Sequence, residues 1–268
     1  MNGCAIQKRI GITMTTAMMK NFRSSTKKFS CFSPCIPTLY VFVRDAQVLV
    51  CYCCASYASL CFFCYHTAMN WILVGLGNPD AEYEGTRHSV GRDFLRSVAK
   101  NVGVAEFRLD KKTRALIAKG ELFGKKATLV LPETFMNESG SAVKSMVGSV
   151  KHAEKLAVLH DDLDLPIGMV KVSFGAGAGG HKGVESVQKV LKTKDFVRIR
   201  IGVSPTTVGG KLRKPESEKV VDFVLGKFRN TEVEQTKLKT ARKLAERAIE
   251  LLLTAGKQAA MMEVNTAR

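Results

Sequence analysis

The sequence predicts an α/β fold: a single-domain three-layer sandwich in which a mixed, largely buried sheet carries helices on both faces. Three observations lead there. Short apolar runs alternate with stretches of helical periodicity from Trp71 onward. The short runs are almost continuously apolar, as strands covered on both faces are. Gly and Pro punctuate the boundaries between the two kinds of segment.

The elements follow in order. Strands are predicted at 71–75, 115–119, 127–131, 156–159, 169–174 and 196–203, each short and rich in β-branched or other apolar residues. Helical spacing fills the gaps. Val90, Phe94, Leu95 and Val98 share one face, as do Val143, Met146, Val147 and Val150, and then Val184, Val187, Val190 and Leu191. A last helix is expected over 231–253. Thr231-x-x-Glu234 supplies a capping box at its start, and Gly256 stands just past its end. Residues 204–218 are polar and rich in Gly and Pro, the composition of a surface loop.

A seam at Met69 separates this domain (70–268) from an N-terminal extension (1–69). All eight Cys lie in the extension, so no disulfide framework holds the main domain. Residues 1–30 are rich in Lys, Arg, Ser and Thr and contain no acid, which is the composition of an organellar transit peptide and points to a mitochondrial destination. Residues 46–64 carry no charge over 19 positions, just the length of a membrane-spanning helix and the only route to membrane association. The Cys pairs there lack the spacing of a zinc finger. A competing reading places the start of the protein at Met69, directly before the first strand, and its destination in the cytoplasm. Under either reading the extension stands outside the fold.

The bulk composition, 46% hydrophobic and 24% charged with mean hydropathy near zero, excludes a wholly disordered chain, a collagen and a multi-spanning membrane protein. The net charge is +17, and the main domain is basic without the extension. A polyanion such as nucleic acid is therefore a reasonable partner, although a solvated basic surface explains the charge equally well.

In an open α/β sheet, ligands lie beyond the carboxyl ends of the strands. Polar residues gather there: Asn78, Tyr83 and His88 after the first strand, Met136 and Asn137 after 127–131, His160 and Asp161 after 156–159, and a glycine loop ending at His181-Lys182-Gly183. Several chemistries fail on motif. Gly75-x-Gly77 lacks the third glycine of a dinucleotide fingerprint, and the glycine loop lacks the Gly-Lys-Ser/Thr of a P-loop. There is no Gly-x-Ser-x-Gly elbow, no Cys in the main domain and no cluster with metal-ligand spacing. Taken singly, each Asn is an ordinary turn or cap residue. Taken together, His88 and Asp161 form a His–carboxylate pair able to activate water, and Asn78 and Asn137 offer amide donors to a developing oxyanion.

Four ordered stretches, VGLGNPDAEYEGTRHSVG, LPETFMNESG, LHDDLDLPIG and GAGAGGHKGVESV, closely resemble the bacterial-type peptidyl-tRNA hydrolase family, with similarity from about Trp71 to Leu253. The resemblance implies a single α/β domain that cleaves the ester joining a peptide to the 3′ end of tRNA, recycling tRNA for translation. It implies no metal, no organic cofactor and a monomer, with peptidyl-tRNA as the partner. Carried over by position, His88 is the catalytic base and Asp161 its orienting carboxylate. Asn78, Tyr83, Met136, Asn137, His181 and Lys182 belong to the substrate site, and Arg200 with Lys171 contacts tRNA phosphate. Two positions depart from the family pattern. Lys182 replaces an Asn that helps bind substrate, and a charged Lys accepts no hydrogen bond. Ser89 replaces an Asn after the catalytic His. These departures keep a second expectation alive, a hydrolysis-deficient RNA-binding relative of the organellar splicing-factor type.

Overall fold

The structure is a computed structural model describing residues 38–44, 47–53, 70–104, 106–147 and 150–267. The chain divides into two compact units, Met1–Ala68 and Met69–Arg268. In the first, β1 (Thr38–Arg44) and β2 (Gln47–Cys53) pair antiparallel, Thr38 opposite Cys53 and Arg44 opposite Gln47. The uncharged run 46–64 is long enough for a membrane helix, yet its described part is extended. The segment QVLVCYC mixes Val and Tyr, residues that favour a pleated strand. Residues 54–64 and the transit-type segment 1–30 lie outside the described residues. Among the described residues, no helix is long and apolar enough to cross a membrane.

The second unit runs β3 (Trp71–Gly75), α1 (Val90–Asn101), β4 (Arg108–Asp110), β5 (Ala115–Leu122), β6 (Lys125–Pro132), α2 (Ser139–Val147), β7 (Leu156–Pro166), β8 (Val170–Phe174), α3 (Lys182–Leu191), β9 (Val197–Ser204), α4 (Val220–Leu225), α5 (Glu232–Thr254) and α6 (Lys257–Thr266). The strands form one sheet in the order β4-β5-β6-β3-β7-β9-β8. The four central strands, β6, β3, β7 and β9, are parallel. Antiparallel strands flank them, β5 and β4 at one edge and β8 at the other, so the sheet is mixed as expected.

Neighbouring residues of the central strands serve opposite faces. Leu73, Leu129, Leu159 and Ile199 pack with α1, α5 and α6. Val74, Val130 and Val158, with Phe196 just before β9, pack with α2 and α3. Both faces of β6, β3 and β7 are buried, hence their near-continuous apolar runs, whereas β9 alternates Val197, Ile199 and Ile201 with Arg198 and Arg200. Each Leu or Val fully removed from water contributes about 1.5–3 kcal/mol.

Chain order reverses around β3. One connection leaves it through α1 toward β6, and the next crosses through α2 to β7 on its other side. This is the switch point beside which α/β sheets place their ligands. α1 presses tightly onto the sheet there. A Cβ on Gly91 would stand 2.2 Å from the Leu159 carbonyl oxygen, so only glycine permits the approach.

The ends of α5 follow expectation except for half of the capping box. Thr231 caps α5 through its hydroxyl, which accepts from the Glu234 N–H at 3.4 Å, but Glu234 accepts from the Arg229 N–H at 2.8 Å and leaves the reciprocal half of the box unmade. Gly256, at φ +89°, does end α5, with its N–H donating to the Leu251 carbonyl at 2.9 Å. α6 begins at the next residue.

Candidate active site

His88 rides on a 3₁₀ turn, Arg87–Ser89, immediately before α1. The turn is anchored from the C-terminal side of the domain. Arg87 donates its main-chain N–H to the Gly226 carbonyl at 3.1 Å. Its Nη1 donates to the carbonyls of Phe223 and Gly226 at 3.2 and 3.0 Å, and its guanidinium lies 4.4 Å from the Phe223 ring centroid. The Arg87 side chain thus points away from the site and holds its neighbour in place.

Asp161 is presented by the unequal lengths of two strands. Pairing of β7 with β3 ends at Leu159 opposite Gly75. Pairing with β9 continues through Asp161 and Asp162. β7 therefore runs on past the turn that follows β3, and Asp161 stands beside His88 while remaining buried. His88 Nδ1 lies 2.9 Å from Asp161 Oδ1, and His181 Nε2 lies 2.8 Å from the same oxygen. The two rings are 4.9 Å apart between centroids.

The hydrogen bonds assign the tautomers. A carboxylate only accepts, so His88 carries its proton on Nδ1, and Nε2 is left as the basic nitrogen. His181 donates from Nε2, because its Nδ1 accepts from the main-chain N–H groups of Gly183 and Val184 at 3.1 and 3.3 Å. His181 is thus the N-cap of α3, with an imidazole in the place usually taken by Ser, Asp or Asn. Burial pulls the pKa of His88 down, but the charge and hydrogen bond of Asp161 outweigh it and hold the imidazole above its ordinary value. Burial by itself would raise the Asp161 carboxyl. The two imidazoles overturn that and keep it ionised, far below the usual carboxylate range.

His160 is a third, fully buried imidazole. It donates from Nδ1 to the Asp161 main-chain carbonyl at 2.7 Å and meets His181 edge-on at 4.8 Å between centroids. Burial first, then His181 and Arg198 nearby, push its pKa well down, so it stays neutral and supports the Asp161 backbone.

The other expected site residues are placed as follows. Asn78 accepts the Met136 N–H on Oδ1 at 3.0 Å, which turns its amide NH₂ away from that bond. The Met136 side chain is core, packed with Leu76 and Val184, and what it gives the site is this main-chain tie. Asn137 follows, exposed, on the 3₁₀ turn Met136–Glu138. Tyr83 is half-buried on a 3₁₀ turn after Asp80. A hydrogen bond to Glu82 raises its phenol pKa. Lys182 is a surface residue, 71% exposed, with Nζ 3.2 Å from Glu185 Oε2 on its own helix. Arg200 and Lys171 are direct cross-strand partners on β9 and β8. Arg200 Nε donates to Asp162 Oδ2 at 2.6 Å.

The ligand-type atoms of His88, Asp161 and His181 lie within 4.8 Å of one another, close enough to suggest a metal ion. The hydrogen bonding opposes it. A metal-bound imidazole donates its other N–H to an acceptor. Metal on His181 Nε2 would instead set an Nδ1 proton against two main-chain donors.

The bond from His181 to Asp161 is not legible in the sequence, where 20 residues separate the partners, and it makes His181 a support of the acid. Its two roles can be separated. His181→Asn keeps a cap acceptor but is too short to reach Asp161, so it should lose the charge-assisted bond to the buried carboxylate, about 1.5–3 kcal/mol, and turnover with it. His181→Ala should lose the cap as well, about 0.5–2 kcal/mol. Thermal melts and initial rates on the same preparations check both.

Comparison with known proteins gives similarity in sequence and in fold. The peptidyl-tRNA hydrolase family model matches residues 72–268. The chain is 37% identical over 196 residues to the peptidyl-tRNA hydrolase of Carboxydothermus hydrogenoformans, covering 73% of this chain and 98% of the relative. It is 36% identical to that of Syntrophotalea carbinolica, covering 72% and 96%. The crystal structure of peptidyl-tRNA hydrolase from Acinetobacter baumannii superposes with a TM-score of 0.65 at 30% identity, covering 74% of this chain and 96% of that one.

Proposed function

Because the chain belongs to the peptidyl-tRNA hydrolase family, whose reaction is hydrolysis of the ester between peptide and tRNA, we propose that His88, oriented by Asp161, activates the water that cleaves it. Water gives a proton to His88 Nε2 as its oxygen attacks the ester carbonyl carbon. The tetrahedral oxyanion takes donated hydrogen bonds from the amides of Asn78 and Asn137. On collapse, the bond from the acyl carbon to the ribose oxygen breaks. His88 returns the proton to that oxygen, releasing tRNA and the peptide acid. Asp161 stays ionised and steadies the transient imidazolium.

One observation carries this reading: the 2.9 Å bond from His88 Nδ1 to a buried carboxylate, which frees Nε2 to act as the base. The test is turnover of an N-blocked aminoacyl-tRNA. Release of the blocked amino acid supports the mechanism, whereas wild-type protein that binds tRNA and releases nothing is a binding module. No observation favours the splicing-factor alternative, and the relatives reported above are named as hydrolases.

Arg200 and Lys171, adjacent across β8 and β9, are proposed to hold tRNA phosphate, with Arg200 exchanging its bond to Asp162 for one to the ligand. Such contacts give affinity without sequence readout, as a general tRNA enzyme requires. Affinity for deacylated tRNA should fall steeply with salt. Arg200→Ala should weaken it for all tRNAs alike and reduce the slope of log K against log salt by about 1. Filter binding across a salt series checks this, and salt-independent binding would remove the phosphate claim.

A further inference from the structure

Arg92 sits in the first turn of α1 with 3% of its surface exposed. The position is unfavourable for a cation. The start of a helix is its positive end, and burying a guanidinium is costly even when it is paired. Burial pulls its pKa down despite Glu133 beside it. Buried ion pairs of this kind can often be replaced by apolar residues without loss of stability. Stability is therefore a poor account of why the residue is charged, and its contacts supply a better one.

Arg92 joins three of the segments that carry the site. It lies four residues after His88 on the same helical entry. Its main-chain N–H donates to the Leu76 carbonyl at 2.9 Å, two residues before Asn78. Its side chain lies along Gly77, where an added Cβ would come within 2.8 Å of the Arg92 Cβ. Nη1 donates to the Pro132 carbonyl at 2.7 Å, and Nη2 is bonded to Glu133 Oε1. Pro132 and Glu133 begin the turn that delivers Met136 and Asn137. The same two turns are tied a second time by the bond from the Met136 N–H to Asn78.

We propose that Arg92 is a positioning residue for the hydrolysis: its main-chain N–H holds the turn bearing Asn78, its forked guanidinium, clamped by Glu133, holds the turn bearing Asn137, and the residue thereby sets the two turns at the spacing an ester carbonyl needs opposite His88. This rests on the reading of His88, Asn78 and Asn137 as the site. The fork is essential, because one nitrogen binds a main-chain carbonyl and the other a carboxylate, and a lysine ammonium cannot reproduce that plane.

The test uses the full chain with Arg92→Lys, Arg92→Met, Glu133→Ala and Glu133→Gln, and with His88→Ala as the control. The measurements are kcat and KM on N-blocked aminoacyl-tRNA and the thermal midpoint. The expected result for both Arg92 variants is a kcat about 10–100-fold lower, the scale of a misalignment of about 1 Å, with KM near wild type; the midpoint falls in Arg92→Met, where Glu133 is left without its partner, but the protein stays folded at the assay temperature. Glu133→Gln, which keeps an oxygen for Nη2, should lose less than Glu133→Ala. The double variant Arg92→Met/Glu133→Ala should lose no more than the worse single one, because the two act as one brace. Wild-type kcat in well-folded Arg92→Met overturns the proposal. So does a loss of activity that only follows the loss of folded protein. If Arg92→Met does not fold, Glu133→Ala removes the brace from its more exposed end, and wild-type kcat there is equally fatal. Activity retained by His88→Ala would overturn the site reading itself, an outcome distinct from failure of the brace.

Discussion

His88→Ala is expected to lower kcat on N-blocked aminoacyl-tRNA by about 10²–10⁴-fold, the contribution of a positioned general base, while affinity for deacylated tRNA stays near wild type. The separation follows from the architecture. The base stands on the turn before α1, and the residues proposed for phosphate lie on β8 and β9. Nothing in the site substitutes for it. His181 has both ring nitrogens engaged, one by Asp161 and one by the start of α3. His160 is fully buried. Single-turnover rates and equilibrium tRNA binding on one preparation check the result. Parallel loss of both would mean that His88 serves binding and not chemistry.

Asp161→Asn is expected to give the second largest effect, again about 10²–10⁴-fold, with a diagnostic change in the pH profile. Both imidazoles bond to one oxygen, Oδ1. An asparagine placing its carbonyl oxygen there keeps both hydrogen bonds and removes only the charge. His88 must be neutral to accept a proton, so activity rises with pH through its pKa, and in the wild type that limb lies above the ordinary imidazole value because Asp161 raises it against burial. Without the charge, burial dominates, the pKa falls, and the acid limb of kcat/KM moves to lower pH. The plateau drops as well, since the imidazolium formed during the reaction has lost its counter-charge. An acid limb that stays in place would dissolve the proposed pairing.

Much of this was legible in the sequence, for identifiable reasons. β3, β6 and β7 carry their own signal because burial on both faces demands long apolar runs, and 71–75 coincides with β3. Asn78 and Asp161 were legible because they follow the apolar runs 71–75 and 156–159 closely, and His88 because it stands just before the helical pattern that opens at Val90. The continuation of β7 to Pro166 was not. LHDDLDLP reads as a polar loop, and only pairing with β9 through Gly202 keeps Asp161 and Asp162 in the sheet. β4 is three residues long and polar, and its strand conformation comes from its neighbour β5. α4 and α6 are short and lack a marked apolar face, and Gly256 reads as a terminator when it is a corner between two helices. Arg92 did leave a trace. A basic residue in the first turn of a helix, where acids belong, stands out among Val90, Phe94 and Leu95, but its partners on β6 lie 40 residues away and no local pattern points to them.

The imidazole that caps α3 has a consequence for the chain before it. The glycine stretch 175–180 is fastened at its downstream end, through His181, to the acid that serves the base. Slack cannot accumulate there unnoticed: lengthening or shortening the stretch by one residue would tug on the carboxylate and be felt as lost chemistry. Its residue count is thus constrained alongside Gly175, Gly179 and Gly180, whose φ of +66°, +61° and +80° already favours glycine, and the mutable ground of this face lies instead in the exposed polar loop after β9.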